Sequence, residues 1–338
     1  MTFPLVSKRV SEDSKEGLAR LHQVTKVARL YYIEGKRQRE IAQHCGISLT
    51  TVHRYLAKAR ALQIVETRIH GIFGRFSELE VEIEKRFGVI ECLVASDDSE
   101  QSVHTYQQIG ALVGELIERL VSDGSFLGVS WGRTLKFLGD HLSVSRPVRA
   151  NVVPIIGAMG IVESGVYPNA IAASFARQLG GKSYLVNVPA FFDSRATKES
   201  FMSESEPSRV TTLWNSIDTI VVGTSDIQDD CSLVTDGPLS VDDVAYLRRQ
   251  GATLTCNGCF LGPEGQSIPN SVSDRAMTMS AEEMWAKQNT VLVAGGRRKV
   301  TPVRSILATG GVNYLVIDEA LATSLVEVET SPQCSQTD

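Results

Sequence analysis

The sequence has no apolar run that could cross a bilayer. Its longest runs, such as "NTVLVAGG" and "VNYLVIDEA", fall far short of the roughly 20 residues a spanning helix needs. The opening stretch "MTFPLVSKRVSEDSKEG" lacks the apolar segment and small-residue cleavage site of a secretory signal, so the cytoplasm is the expected compartment and no membrane partner is expected. Cysteine is sparse. The six residues Cys45, Cys92, Cys231, Cys256, Cys259 and Cys334 are too scattered for a disulfide framework. Cys256 and Cys259 do form a C-x-x-C, but no second C-x-x-C and no nearby histidine pair completes the four ligands of a structural zinc site. They read as two thiols on a strand, and no metal is expected. Neither the Walker A pattern nor G-x-G-x-x-G occurs, which removes the two commonest nucleotide fingerprints. No cofactor is expected.

What is present is ordinary globular material, 338 residues with 43% apolar and 22% charged, enough for two or three units. The charge is unevenly divided. Residues 1–70 hold 13 Lys+Arg against 6 Asp+Glu, and the remainder holds 21 against 33. A basic block joined to an acidic body is the footprint of a nucleic-acid-binding module attached to a domain with another task.

The basic block is helical. Leu18, Leu21, Val24, Val27, Ala28, Tyr31 and Tyr32 recur at helical spacing from Gly17 to Glu34, and Gly35 ends the run. A second helix is expected over Gln38–His44 with Ile41 and Ala42 inward. "CGIS" supplies a turn, a core plug at Ile47 and an N-cap at Ser48. A third helix runs from Leu49 to about Leu62 with Val52, Leu56 and Ala59 on one face. This is the helix-turn-helix pattern. The outward face of the third helix shows Thr50, Thr51, His53 and Arg54, side chains that reach base edges and phosphates in a major groove. Ser48 stands at its start. Lys36, Arg37 and Arg39 sit where the preceding helix would meet the DNA backbone. "IVETRI" alternates like a small wing. The expected organisation is a polar tail over 1–16, a DNA-binding domain over 17–70, a linker over 71–76, an effector domain over 77–328 and a disordered tail over 329–338.

After the helix Ser77–Phe87, strand-like runs ("FLGVS", "NVVPIIG", "SYLVNVPA", "DTIVVGT", "NTVLVAGG", "NYLVID") alternate with helical stretches such as "TLKFLGDHL" and "NAIAASFARQLGG". The alternation predicts an α/β domain, a doubly wound and mostly parallel sheet covered on both faces. "ATLTCNGCFLGPEGQSIP" reads as a hairpin inserted near the sheet edge. In such a sheet the ligand crevice lies at the carboxyl ends of strands. Three glycine-bearing loops fall there: Ser130, Trp131 and Gly132 leading into Arg133 and Thr134; Gly223 and Thr224; and Gly295 and Gly296 leading into Lys299. A helix N-terminus with Arg or Lys beside it is an anion site, so these residues are expected to bind a small phosphorylated ligand.

The segments "REIAQHCGISLTTVHRYLAKARALQIVETRI", "LGVSWGRTL", "VVPIIGAMG", "DTIVVGTSDI", "LVAGGRRK" and "VNYLVIDEALATSLVEV", in this order over about residues 17–328, resemble the SorC-type (SorC/DeoR) sugar-binding transcriptional regulators of bacteria. The resemblance implies a helix-turn-helix followed by an effector domain similar in fold to sugar-phosphate isomerases and CoA transferases. It implies operator DNA and a phosphorylated sugar or polyol as partners, a homodimer or homotetramer, and sensing rather than catalysis. Gly132, Arg133 and Thr134 match the family's phosphate loop, and Lys299 matches its lysine after the paired glycines. Thr255 stands where family members often carry an aspartate for ligand hydroxyls, and "GPEG" replaces a following Asp-x-x-Gly. The alternative is an isomerase-like enzyme with a fused DNA-binding segment. Glu163, Asp226, Asp318 and Glu319 are then the carboxylates nearest the loops, and none falls in a motif for a general base. No catalytic residue is expected.

Overall fold

The computed structural model describes residues 15–62, 64–65, 76–96, 103–159 and 166–327. The chain divides into two compact units, Met1–Ile72 and Phe73–Asp338.

The first unit is built from α1 (Lys15–Tyr32), α2 (Gln38–Cys45) and α3 (Leu49–Ala61). Val27, Leu30, Ile41, Val52 and Leu56 form its core, with Ile47 and Ala42 packed against it. Leu30 takes the inward place expected of Tyr32, which is 40% exposed at the last turn of α1. Ser48 caps α3 by accepting from the Thr51 amide at 3.1 Å. Leu18's side chain, most of the expected wing, the linker up to residue 75 and both tails lie outside the described residues.

The second unit is a single sheet of β1 (Glu91–Ala95), β2 (Phe126–Val129), β3 (Asn151–Pro154), β4 (Lys182–Ser183), β5 (Ile217–Asp226), β6 (Leu254–Cys256), β7 (Cys259–Leu261), β8 (Asn289–Ala294) and β9 (Tyr314–Asp318). Seven strands run parallel in the order β1-β9-β8-β5-β2-β3-β4. The central strands β8 and β9 are buried at every position, as a sheet covered on both faces requires. One core packs α5 (Val103–Leu120), α6 (Arg133–His141) and α7 (Pro168–Leu179) on one face. The other packs α4 (Ser77–Phe87), α14 (Val300–Leu307) and α15 (Glu319–Glu327) on the opposite face. The remaining helices are α8 (Arg195–Met202), α9 (Ser205–Asn215), α10 (Ser232–Thr235), α11 (Val241–Arg249), α12 (Ser271–Asp274) and α13 (Ala281–Trp285). The doubly wound architecture is the one expected. Among the described residues no helix is long and apolar enough to cross a membrane.

Three sequence expectations change. The β6–β7 hairpin is not near the edge. It pairs antiparallel with the extended end of the central strand β5, Thr224 opposite Cys256. The run "SYLVNVPA" is strand only at Ser183. Beyond it the Asn169 side chain accepts from the Val186 amide at 2.9 Å and donates to the Val186 carbonyl at 3.2 Å, replacing a neighbouring strand, and Pro189 has no donor to offer. Finally, neither β1 nor α5 stands out in the sequence. β1 is a short strand that begins on a glutamate, and α5 carries two glycines, Gly110 and Gly114, in mid-helix.

Candidate functional site

The strand order reverses between β2 and β5. Chain order runs outward from β2 through β3 to β4, then returns to β5 on the other side of β2 and proceeds through β8 to β9. Loops at such a switch point diverge and leave a crevice. A cavity of about 450 Å³ occupies it, walled by Trp131–Leu135, by Gly223–Asp226 and by the hairpin residues Thr255, Asn257 and Gly258. Arg298 and Lys299 enter from the end of β8, and Tyr106 and Phe137 from α5 and α6.

Gly132 caps the start of α6 with φ +135°, a conformation side chains other than glycine rarely adopt. The first turn of a helix leaves amides without intrahelical acceptors, and here that turn lies on the cavity wall. Trp131 is held below it, its Nε1 donating to the Val166 carbonyl at 2.5 Å. Lys299 is part-buried, and its Nζ donates to Thr134 Oγ1 at 2.8 Å. Burial pushes its pKa down to about 8, against the opposing pull of the Asp318 and Asp226 carboxylates. Arg133 Nε donates to Asp236 Oδ2 at 2.7 Å. Tyr106 stacks on Phe137 with ring centroids 5.0 Å apart, giving the cavity an aromatic rim.

Of the expected ligand residues, Trp131, Gly132, Arg133, Thr134, Gly223, Thr224 and Lys299 converge on this cavity, and Ser130, Gly295 and Gly296 do not line it. Ser130 is fully buried, its hydroxyl donating to Asn257 Oδ1 at 2.9 Å, so it ties β2 to the hairpin turn. The Gly296 amide donates to Asp318 Oδ2 at 2.6 Å. Its place as an anion donor is therefore filled by a carboxylate of the chain itself. Asp318 also accepts from the Leu321 amide at 2.9 Å, the capping role open to a carboxylate at the start of α15. Glu319 opens α15, Asp226 lines the cavity, and Glu163 lies outside the described residues.

Sequence reasoning missed Tyr106, Phe137, Asp230 and Asn257. For Asn257 a signal existed. Asn-Gly between two apolar runs is the strongest short hairpin signature, and both residues take positive φ, 53° and 78°. The turn brings Cys256 opposite Cys259. Burial pushes the Cys259 thiol up to about 12 and the Cys256 thiol well above its usual value, so both stay protonated at neutral pH. Thr255 Oγ1 is buried without a hydrogen-bond partner. An orphaned hydroxyl on a cavity wall is a donor and acceptor left for a ligand.

In the first unit Thr50, His53 and Arg54 share the exposed side of α3, and Arg37 and Arg39 are exposed at α2. Thr51 and Ser48 are engaged with each other, their hydroxyls 2.8 Å apart at the cap. Lys36 pairs with Glu34 at 3.1 Å.

A family model described as "Putative sugar-binding domain" matches residues 73–327, the whole sheet with its cavity. The chain belongs to this sugar-binding family. The resemblance to SorC-type regulators is borne out along the chain. Residues 27–62 match a model of sigma-70 region 4, which covers α2, α3 and the end of α1. The sorbitol operon regulator of Klebsiella pneumoniae is 28% identical over 314 residues, covering 90% of this chain and 97% of that one. The deoxyribonucleoside regulator of Bacillus subtilis (strain 168) is 25% identical over 302 residues, 88% of this chain and 95% of its own. The crystal structure of the full-length sorbitol operon regulator SorC from Klebsiella pneumoniae superposes with a TM-score of 0.69 at 24% identity, covering 91% of this chain and all of that one. This sugar-binding family member therefore shares its fold with SorC across both units.

Proposed function

We propose that the chain is a cytoplasmic, DNA-binding transcriptional regulator of a carbohydrate or polyol catabolic operon, controlled by a small phosphorylated sugar-type effector. The observation that carries the effector reading is the convergence of the α6 N-terminus, Arg133 and Lys299 on one cavity at the switch point. Oriented amides, a guanidinium and an ammonium suit a dianion, while Thr255 and the Tyr106–Phe137 rim suit a polyol chain. Relatives named as a deoxyribonucleoside regulator, a sorbitol operon regulator and an erythritol catabolism regulatory protein support the regulator part of this reading. The protein senses without turnover in this account, and a turnover assay with pentose and hexose phosphates checks that. A thermal-shift screen of phosphorylated sugars against their uncharged counterparts tests the effector, because a ligand of the native state raises the melting temperature by mass action. Stabilisation by uncharged polyols alone would count against a phosphate.

The DNA surface is assigned to Lys36, Arg37, Arg39, Ser48, Thr50, Thr51, His53 and Arg54. A helix-turn-helix reads two half-sites as a symmetric pair, so a homodimer or homotetramer is the working form. Arg54→Ala should weaken operator binding and relax one base position, because a bidentate base contact contributes roughly 1–3 kcal/mol of discrimination. Arg39→Ala should weaken all sequences alike and lower the salt slope by about one. Gel-shift titrations on operator and random DNA read both, and unchanged operator affinity in Arg54→Ala would remove α3 from the groove.

A further inference from the structure

β5 runs on past the parallel sheet. Its last parallel partner is Val293, opposite Gly223, and Thr224, Ser225 and Asp226 pair with the hairpin strand β6 instead. The start of α6 lies at the foot of this extension, packed so closely that a Cβ on Gly223 would stand 2.7 Å from Leu135 Cδ2. Asp226 is three residues further along, roughly 10 Å at about 3.3 Å per residue. It lines the same cavity. Among the described residues its carboxylate accepts no hydrogen bond, and its ion-pair contact is Arg298 at 3.9 Å. That arginine is 70% exposed and Asp226 33%, so solvent leaves the pairing little effect. Beside Asp226, Ser225 lies opposite Thr255, whose buried hydroxyl also has no partner. The cavity wall remote from α6 therefore carries a carboxylate without a hydrogen bond and an orphaned hydroxyl.

We propose that Asp226 is a specificity-determining residue that accepts hydrogen bonds from hydroxyls at the end of the effector remote from its phosphate, and that it excludes effectors with a second anion at that end. The inference rests on reading the cavity as a phosphate-ester site. A carboxylate accepts hydrogen bonds and cannot donate them. Once a ligand displaces the water around it, Asp226 needs donors, and hydroxyls are the donors that a sugar or polyol chain carries. A second phosphate or a terminal carboxylate brings only acceptors and a like charge. The exposed Arg298 offsets little of that repulsion. The effector class is then a monophosphate ester with a neutral, hydroxylated far end, and not a bisphosphate or the phosphate of a sugar acid.

The test titrates the full-length protein by calorimetry with three probes: inorganic phosphate, glucitol 6-phosphate and gluconate 6-phosphate. The two esters have the same carbon chain and differ at the far end, a hydroxymethyl group in one and a carboxylate in the other. The wild type should bind glucitol 6-phosphate more tightly than either other probe. Asp226→Asn keeps the size of the side chain and removes its charge. It should weaken glucitol 6-phosphate roughly 3- to 10-fold, the loss when a charged hydrogen bond becomes a neutral one. It should tighten gluconate 6-phosphate, so the preference narrows or reverses, and it should leave inorganic phosphate, too short to reach it, near wild type. If the wild type binds gluconate 6-phosphate as tightly as glucitol 6-phosphate, or binds neither ester better than phosphate, the inference falls and the phosphate reading stands. The same holds if Asp226→Asn shifts all three probes alike, since the residue then acts through its field on the whole cavity and not on the far end of the ligand. If phosphate does not bind the wild type, or binds Lys299→Met as tightly, the phosphate reading itself falls.

Discussion

Replacing Lys299 by methionine should raise the effector dissociation constant about 10- to 150-fold and leave ligand-free operator binding near wild type. Hydrogen bonds to charged groups contribute about 1.5–3 kcal/mol each, and each 1.4 kcal/mol is about one decade. Lys299 reaches the cavity from the end of β8 and is oriented by Thr134. It lies in the second unit, and α3 lies in the first. Methionine keeps most of the apolar stem and removes the ammonium together with its hydrogen bond to Thr134. The same residue sets a pH limit. With a folded-state pKa of about 8 against the usual 10.5, the ammonium is destabilised by folding, so this group makes the fold more stable as pH rises from about 8 towards 10.5. Effector affinity runs the other way. A dianion favours the ammonium, so affinity falls as pH rises through about 8. It also falls below about 6, where the phosphate-ester dianion takes up a proton and becomes a monoanion. Affinity measured from pH 5 to 10 should therefore be bell-shaped, and Lys299→Met should flatten the alkaline limb. An alkaline limb unchanged in that variant would assign the titration to another group.

Gly114→Ala should destabilise the effector domain by roughly 3 kcal/mol, the upper part of the range for overpacking. In an open helix interior the same change stabilises by up to about 1 kcal/mol, so the sign is decided by what lies opposite. A Cβ on Gly114 would overlap the carbonyl oxygen of Ser143, and one on Gly110 would meet the His141 carbonyl carbon at 2.8 Å. These are backbone atoms in the chain leaving α6, and they cannot rotate away. The two glycines let α5 lie directly on that segment, and α5 places Tyr106 and Val103 at the cavity. Urea unfolding of the full chain, followed by the fluorescence of Trp131, Trp214 and Trp285, should show a lower midpoint for Gly114→Ala, and effector titration should show weaker binding. A midpoint at or above wild type would mean that the α5–α6 contact gives way at little cost.

Much of this molecule is local. Helical spacing in residues 21–62, the turn at Gly46 and the cap at Ser48 are properties of short windows, and the three helices follow from them. So do the buried strands, which read as continuous apolar runs because both faces are covered. The loop Gly132–Thr134 was legible for the same reason, since a strand, a glycine and a helix start are adjacent in the chain. Lys299 was reached through the resemblance as well as through its loop.

What the windows do not contain is which loops share a cavity. Gly295-Gly296 has the same local chemistry as Gly132, yet its amide is taken by Asp318, 22 residues later, because β9 lies beside β8 and delivers that carboxylate. Tyr106 joins the site from a helix between β1 and β2, and Asn257 from a hairpin that lies on the central strand and not at the edge. Asp236 meets Arg133 across 103 residues. The amino-acid sequence by itself determined most of the elements, the basic helical module and the glycine-bearing loop before α6, because periodicity, capping and turn chemistry act within a few residues. The tertiary structure decided which of those loops are open to a ligand and which are closed by the protein's own carboxylates. Strand order is set by burying both faces of the sheet at once, a condition on the whole domain that no single segment encodes.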